Sequence, residues 1–378
     1  MRSINKMKKK ILAASNDPGP ASTLTNVINS LRRIEDLEVI VLGEGPSQGI
    51  FESKSIPYKT LTEYGISQLN PDSTQYVFDK ERPNLIFTGI SEFSNLERYL
   101  IHTARKNHSI SVSILDGYDY DSIRLKDSKV NPEHKFRPDY LMLVDQIVKE
   151  TMLKEGFNEN QLIVTGHPYY DDLMQLRQSF SLEDLSRVRS DLGIDGKDYL
   201  LTFLSQGWSN SIKSNPEEDN GYTELTVLRS LEDALNVLDI QDLCLLVKIH
   251  PREDLEVTRT AFTGKLNKVI FNKGYNTRNS ILASDLVSGM FTNGLIESVY
   301  LDKDTISLQP GLNKEDRLIT NKLELTVPVY KKEDIIPTLK KVIYDQEFKR
   351  ELKERRSKLS LDGKATERAV GFIYSLLN

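Results

Sequence analysis

The chain has a single cysteine and no apolar run long enough to cross a bilayer. One cysteine, Cys244, excludes an internal disulfide framework and a cysteine-rich zinc or iron–sulfur centre. The apolar run after the basic N-terminal stretch is about four residues long, shorter than a signal-peptide core. With a net charge of −5, the chain also lacks the basic excess of nucleic-acid-binding proteins. These absences predict a cytoplasmic protein that binds no nucleic acid.

Apolar stretches typical of buried strands alternate with stretches of helical spacing along the 378 residues. Strands without polar alternation, separated by helices, indicate a parallel sheet that is covered on both faces. The strands predicted in the first half are 10–15, 37–42, 84–88, 109–115, 140–144 and 162–165. The second half repeats the pattern with strands at 199–204, 242–249, 268–271, 285–288, 305–308 and 325–329. Helices are predicted between these strands, including 23–33, 93–106, 223–237, 293–301 and 332–344, the last interrupted by Pro337.

The predicted fold class is therefore α/β, with two Rossmann-like, doubly wound domains and a helical C-terminal tail. Residues 1–175 form the first domain, and residues 176–378 form the second together with the tail helices. The segment Gly166-His167-Pro168 is expected at the junction, since it can continue neither a helix nor a central strand. In open α/β sheets the ligand lies outside the carboxyl ends of the strands. We therefore expect the two sets of strand ends to face each other across a central cleft.

In the second half, Lys248 and His250 lie at the carboxyl end of one strand, two residues apart on the same side, and form a cationic pair suited to a phosphate. The alternative is that both side chains simply reach solvent. Another strand is followed by small polar residues that can bind phosphate through backbone N–H groups, namely Ser205, Gln206 and Gly207. Trp208, the only tryptophan, follows directly. It either stacks on a ligand or is a hydrophobic anchor at the protein surface.

A third loop of the second half joins a strand to a helix that begins near Asn293. Thr292, Asn293 and Gly294 present N–H donors to an anion there. Glu297 lies one turn into the helix, within reach of a ribose diol, although a solvated first-turn acid is the alternative.

Candidate residues of the first half also follow strands. Asp17 and Gly19 lie in a strand–helix turn that either is only a turn or contacts a transferred group or the molecule that accepts it. Asp116, at a strand end before a glycine, is a candidate general base or a turn cap. The nearby Asp119-x-Asp121 pattern is a weak signal for a divalent cation. We favour a structural role over a catalytic one for His167.

Several segments resemble nucleotide-sugar enzymes of the GT-B fold. "VTGHPYYDDL" resembles their TGxPxxD junction segment, and "KIHP" resembles the HP motif of bacterial sialyl-, Kdo- and polyol-phosphate transferases, whose histidine contacts the donor phosphate. "ILDG" resembles the acidic motif that supplies the base in several users of CMP-sialic acid. "MFTNGLIE" stands where such proteins carry a phosphate loop, with Thr292-Asn293 in place of two hydroxyl residues. The chain also resembles UDP-N-acetylglucosamine 2-epimerases, but their His-Val-Glu-Ala-Gly segment is replaced here by Ser-Ile-Leu-Asp-Gly.

The resemblance implies an inverting glycosyltransferase of bacterial capsule or other polysaccharide biosynthesis. A CMP- or UDP-linked sugar would be the co-substrate, and a surface glycan or a lipid-linked sugar would be the acceptor, with no metal or other cofactor. Asp116 would deprotonate the acceptor, while His250 and Lys248 would neutralise the leaving phosphate. An epimerase or hydrolase is the alternative activity, and a nucleotide-sugar-binding subunit without activity is a third hypothesis.

Basic residues are concentrated in the tail helices: Lys340, Lys341, Lys349, Arg350, Lys353, Arg355, Arg356 and Lys358. They indicate either peripheral contact with the inner face of a membrane or a solvated face, and the interleaved acids favour the solvated face. The oligomeric state stays open.

Overall fold

The computed structural model describes residues 8–91, 94–117, 136–251, 253–357 and 362–378. The chain divides into two compact units. Unit 1 consists of Met1–Asp172 and Ser360–Asn378, and unit 2 consists of Leu173–Leu359. The predicted metal pair, Asp119 and Asp121, lies outside the described residues.

The described part of unit 1 contains one parallel sheet with the strand order β2-β1-β3-β4-β5-β6. Its strands are β1 (Lys9–Ser15), β2 (Leu37–Gly43), β3 (Leu85–Thr88), β4 (Ile110–Ile114), β5 (Tyr140–Leu143) and β6 (Leu162–Val164). Its helices are α1 (Pro18–Leu31), α2 (Ser47–Ser53), α3 (Pro71–Glu81), α4 (Leu96–Lys106), α5 (Gln146–Lys154) and α16 (Ala365–Leu376). The boundary between the units falls inside α6 (Pro168–Ser179).

Alternate residues of β1 enter two different apolar cores. Ile11 and Ala13 pack with side chains of α1 and α16, whereas Leu12 and Ala14 pack with side chains of α3 and α4. A strand that buries both faces has no polar alternation, which is the pattern the sequence shows. The predicted doubly wound sheet is thus present in this unit.

Helix α1 begins at Pro18, five residues earlier than predicted from the spacing of its apolar residues. Residues 16–22 contain two prolines and a glycine, a composition that is typical of a turn. Proline is tolerated in the first turn of a helix, where its missing N–H has no intrahelical partner to lose. Asp17 is the N-cap residue, so the predicted acceptor loop is itself the start of the helix.

The end of the chain lies in unit 1, although the sequence analysis placed the whole tail in the second domain. Ala369 and Ile373 of α16 are fully buried in the core that contains Leu24 and Ile28 of α1. The apolar face of α16 therefore belongs to unit 1, and the assignment of residues 360–378 to the second domain is corrected accordingly.

The described part of unit 2 contains a second parallel sheet, with the order β12-β11-β10-β7-β8-β9. Its strands are β7 (Tyr199–Leu204), β8 (Leu243–Lys248), β9 (Val269–Asn272), β10 (Leu286–Gly289), β11 (Thr305–Leu308) and β12 (Val327–Val329). Its helices are α7 (Leu182–Asp191), α8 (Trp208–Ser214), α9 (Glu224–Leu238), α10 (Leu255–Arg259), α11 (Thr277–Ala283), α12 (Asn293–Tyr300), α13 (Ile319–Lys322), α14 (Ile335–Tyr344) and α15 (Gln346–Ser357). This sheet is also buried on both faces, because Leu201 and Leu200 enter different apolar clusters.

Pro337 was expected to interrupt a helix and does not. Helix α14 begins at Ile335, so the proline lies in its first turn. Cys244 is fully buried in β8, as predicted for a core residue, and this burial raises the pKa of its thiol to about 11. Among the residues described, none of the helices is long and apolar enough to cross a membrane.

The basic tail residues are partly engaged within unit 2. The Arg356 side chain is buried and forms ion pairs with Asp302 and Asp304, each at 3.0 Å. The ammonium group of Lys341 lies 4.0 Å from the ring centre of a phenylalanine on α15. Lys358 is outside the described residues. These contacts give part of the basic cluster a structural role, and membrane contact stays a prediction.

Candidate functional site

The candidate donor loops of unit 2 follow three consecutive strands of the sheet, β8, β7 and β10. Ser205, Gln206 and Gly207 come directly after β7, His250 lies two residues after β8, and Thr292 lies three residues after β10. The strands are parallel, so their carboxyl ends share one edge of the sheet. The structure thus brings these predicted residues to the same edge.

Glu253, to which the sequence analysis gave no role, joins two of these loops. The Ser205 hydroxyl donates to its Oε1 at 2.6 Å, and the His250 main-chain N–H donates to its Oε2 at 2.6 Å. The side chain of Glu253 is buried, which raises the pKa of its carboxyl group against the opposing effect of these two donors. Glu253 therefore fixes the main chain at His250 beside the end of β7. The spacing from His250 to Glu253 is visible in the sequence, but the pairing with Ser205 is not.

Gln206 joins the loop after β7 to the loop after β10. Its side-chain oxygen accepts a hydrogen bond from the Phe291 N–H at 3.0 Å. The Phe291 ring in turn meets the Trp208 ring edge-on, with 4.8 Å between the ring centres. Trp208 therefore packs against the protein at the root of the loop, in agreement with its interpretation as an apolar anchor.

The predicted helix start near Asn293 is confirmed, since α12 begins there with Thr292 as its N-cap residue. The Thr292 hydroxyl accepts a hydrogen bond from the Gly294 N–H at 3.3 Å. A Cβ atom on Gly294 would lie 2.7 Å from Leu204 Cδ1, so glycine allows α12 to start close to the end of β7. The first turn of a helix attracts anions through its N–H groups and its dipole. The position of α12 is thus suited to a phosphate at this edge.

Two predicted donor residues already have partners within unit 2. The Lys248 ammonium donates to the main-chain oxygen of Lys273 at 3.2 Å, and burial lowers its pKa. The Glu297 carboxylate forms an ion pair with Arg278 at 3.2 Å. Lys248 is thus hydrogen-bonded to the main chain just after β9. The negative charge of Glu297 is balanced by Arg278, a residue to which the sequence analysis assigned no role. Their roles at a donor stay predictions.

In unit 1, the structure brings Asp116 together with the start of α1. Asp116 lies two residues after β4, and Gly19 is the second residue of α1. A Cβ atom on Gly19 would lie only 2.4 Å from the Asp116 Oδ2 atom. The carboxylate therefore rests against the first helical turn at a point where only glycine leaves room for it.

A buried glutamate that the sequence analysis missed holds the loop before α1. Glu97 is 2% exposed, and its Oε1 atom accepts hydrogen bonds from the Asn16 N–H at 2.9 Å and from the Ser91 hydroxyl. The Ser91 oxygen accepts the Asp17 N–H at 2.9 Å. The Glu97 Oε2 atom is buried without a hydrogen-bond partner among the described residues. Burial, reinforced by the Asp17 charge against the opposing hydrogen bonds, raises the pKa of Glu97 to about 7.

His167 is buried at the same edge of the unit 1 sheet. Its Nε2 atom lies 2.8 Å from the Asp116 main-chain oxygen, so Nε2 carries the proton and donates it. Burial lowers the pKa of His167 to about 4, outweighing the effect of that hydrogen bond, so the ring is neutral near pH 7. Across the residues that the structure describes, none of the groups of histidine, cysteine, aspartate and glutamate could hold a metal ion.

No family model matches the chain, and no curated protein matches it in sequence. Solved structures do match. The UDP-GlcNAc 2-epimerase of Neisseria meningitidis, bound to UDP-GlcNAc, is 14% identical with a TM-score of 0.69, covering 97% of this chain and 99% of that one. The UDP-GlcNAc 2-epimerase of Methanocaldococcus jannaschii is 18% identical with a TM-score of 0.66, covering 98% and 100%. A glycosyltransferase from Rickettsia africae is 14% identical with a TM-score of 0.64, covering 98% and 99%. At such identities the likeness concerns the fold, and it confirms the prediction that this chain has the GT-B fold of two Rossmann-like domains.

Proposed function

We propose that the chain is a nucleotide-sugar enzyme, an inverting glycosyltransferase that takes its sugar from a UDP-linked donor. The observation that carries the proposal is the linkage of the three donor loops in unit 2. Glu253 and Gln206 tie the loops after β8, β7 and β10 together. The solved structures of this fold include one with bound UDP-GlcNAc, which supports UDP as the nucleotide.

In the proposed donor site, unit 2 stabilises the charge that the nucleotide diphosphate gains as it leaves. His250 and the N–H groups of Thr292 and Asn293 contact the phosphates, and donors that are already in place act most strongly where charge develops. Ser205, Gln206 and Gly207 line the loop beside them. Lys248 adds positive charge from the end of β8, and Glu297 with Arg278 orients the ribose.

In the proposed transfer step, Asp116 accepts the proton of an acceptor hydroxyl. The acceptor oxygen forms a bond to the anomeric carbon, and the bond from that carbon to the phosphate oxygen breaks with its electron pair going to UDP. Asp17 and Gly19, at the start of α1, contact the acceptor sugar of a glycan or of a lipid-linked carrier. We propose that the step needs no metal ion, and an assay with and without EDTA tests this part.

UDP-GlcNAc 2-epimerisation is the second candidate, favoured by the likeness to two such epimerases over nearly the whole chain. Both activities break the bond between the anomeric carbon and the nucleotide. Epimerisation also requires that a proton leaves C2, that another returns to C2 from solvent, and that UDP re-forms its bond to the anomeric carbon. Incubation of UDP-GlcNAc in D₂O without an acceptor separates them. Deuterium at C2 in the NMR spectrum establishes epimerisation, whereas sugar transfer that occurs only with an added acceptor establishes the transferase.

His250→Ala is expected to lower turnover by about 100-fold or more, because it removes a group that neutralises the leaving phosphate. It should also reduce the rise in melting temperature that UDP produces, since bound ligand stabilises the fold in proportion to its affinity. The matched control is His102→Ala, which replaces an exposed histidine of α4 in unit 1. Full turnover and an unchanged UDP shift in His250→Ala would contradict the donor assignment.

Gly19→Ala is expected to lower turnover by about tenfold or more with little loss of stability. The new Cβ atom would lie 2.4 Å from Asp116 Oδ2, and the carboxylate can move away more easily than the helix can. A displacement of about 1 Å in a reacting group costs up to about 100-fold in rate. Gly49→Ala in α2 is the control, because a Cβ atom there meets nothing within 4 Å. Equal turnover of the two variants would show that turnover does not depend on the position of the Asp116 carboxylate against α1.

A further inference from the structure

His167 occupies a turn that is shaped to hold its ring at the edge of the unit 1 sheet. It follows the end of β6 after Gly166, whose φ of +86° favours glycine. A Cβ atom on Gly166 would also lie 2.9 Å from Ala365 Cβ at the start of α16. Pro168 then begins α6. The backbone on both sides of His167 is thus constrained, and the residue is only 7% exposed.

The hydrogen bond from His167 reaches past a whole strand. Asp116 follows β4 and His167 follows β6, and β5 lies between these two strands in the sheet. The Nε2–H group spans this gap to the Asp116 main-chain oxygen at 2.8 Å. On its other side, the imidazole packs against the Tyr170 ring, with 4.3 Å between the ring centres. The ring is therefore held by packing while it holds the main chain at Asp116.

We propose that His167 is a positioning residue for Asp116: its Nε2–H group fixes the Asp116 main chain so that the carboxylate stays against Gly19 at the start of α1. The inference rests on the proposed function, in which Asp116 is the general base. It assigns to His167 a role in the rate of the chemical step without contact with the substrate. A general base on a loop requires a contact that fixes its main chain, because catalysis is sensitive to small displacements of the base.

The imidazole acts as a neutral donor in this arrangement. The Nδ1 atom is buried without a hydrogen-bond partner among the described residues, so a second proton on the ring would itself be buried and unpaired. With its pKa lowered to about 4, the ring does not change charge between pH 6 and pH 9. The pH dependence of turnover is therefore expected to be independent of His167.

Three variants separate the hydrogen bond from the packing. His167→Phe keeps a ring against Tyr170 but cannot donate, and His167→Asn carries an amide that is too short to replace Nε2. His167→Gln places an amide N–H near the position of Nε2. We expect kcat to fall about 30-fold to 100-fold in the Phe and Asn variants, with KM for the UDP-sugar within about twofold. The Gln variant is expected to recover to within about fivefold of the wild type, with the same pH profile.

Hydrogen exchange of the segment 110–117 gives a readout that does not depend on turnover. Exchange at this segment is expected to speed up in His167→Phe and His167→Asn and to stay near the wild-type rate in His167→Gln. Wild-type protein without turnover on any UDP-sugar would overturn the proposed function, and the exchange rates alone would then decide the role of His167. Wild-type exchange and kcat in the Phe and Asn variants would overturn the positioning role. A Gln variant as slow as the Phe variant, with a changed pH profile, would instead show that the imidazole itself transfers a proton.

Discussion

Asp116→Asn is expected to lower turnover by about 100-fold to 10,000-fold, the largest loss among the substitutions in unit 1. The amide has nearly the same shape as the carboxylate, so the place beside Gly19 remains filled and the fold is kept. It cannot accept a proton from the acceptor hydroxyl. The affinity for UDP should stay the same, because the proposed nucleotide contacts are all made by unit 2. Turnover with saturating donor and acceptor, together with the UDP-induced rise in melting temperature, measures both effects.

The matched control for this substitution is Asp72→Asn, which makes the same chemical change at an exposed residue in the first turn of α3. Equal turnover of Asp116→Asn and Asp72→Asn would remove Asp116 from the chemical step. Loss of UDP binding together with turnover would indicate instead that the substitution had disturbed the protein more widely. The assignment of Asp116 thus requires a loss of turnover with retained binding.

The order of strands and helices was predictable because fully buried parallel strands appear in the sequence as short apolar runs without polar alternation. β1 and β7 each lack polar alternation, since both of their faces enter apolar cores. Helix starts near prolines were less predictable, as Pro18 and Pro337 show. Proline disrupts the interior of a helix, but it is favourable in the first turn.

The positions of the candidate residues were predictable in one respect: all lie at or beyond the carboxyl ends of strands, and parallel strands place such residues on one edge of their sheet. Their partners were not predictable. Glu97, Glu253 and Arg278 act through contacts with residues that are distant in sequence, such as the bond from Asn16 to Glu97. A glutamate nine residues after a strand end has the same appearance in the sequence whether it is exposed or buried. Only the fold reveals that Glu97 is buried beneath the loop that carries Asp17.

The second large expected effect concerns stability and pH. Relative to the wild type, Glu97→Gln is expected to gain about 3 kcal/mol in unfolding free energy between pH 4.5 and pH 8. In the folded protein, Glu97 has a pKa of about 7, against an ordinary value of 4.5. Each unit of difference between the folded and unfolded pKa corresponds to about 1.4 kcal/mol. The substitution removes the ionisable group and keeps an oxygen that can accept the hydrogen bonds from Asn16 and Ser91.

The sign of the effect follows from where the proton is held. Below pH 4.5, Glu97 is protonated in both states and contributes nothing to the pH dependence. Between pH 4.5 and pH 7 the unfolded chain loses this proton while the folded protein keeps it, so the unfolding free energy of the wild type falls as the pH rises. Above pH 7 the carboxylate is ionised in both states, and its burial costs a constant amount. The unfolding free energy of Glu97→Gln does not fall in this way. The difference in unfolding free energy between the variant and the wild type therefore grows from pH 4.5 to pH 7 and is constant above pH 7.

Glu81→Gln is a control with the opposite sign. Burial alone would raise the pKa of Glu81, but its hydrogen bonds to Lys59 and Tyr64 and the nearby lysine charges outweigh burial and lower it. The ionised form of Glu81 thus stabilises the fold above its unfolded pKa, and that stability is lost as the pH falls through the folded pKa. Glu81→Gln should therefore be less stable than the wild type at pH 8 and approach it in acid.

Chemical denaturation followed by far-ultraviolet circular dichroism at pH 4.5, 6 and 8 measures both variants. Because Trp208 is the only tryptophan and lies in unit 2, its fluorescence reports separately on the unit that contains neither substitution. Parallel pH profiles of Glu97→Gln and the wild type would show that Glu97 ionises as an ordinary glutamate. A widening gap would show instead that the carboxyl group beneath the Asp17 loop holds its proton up to neutral pH, so that deprotonation weakens the support of the loop that begins α1.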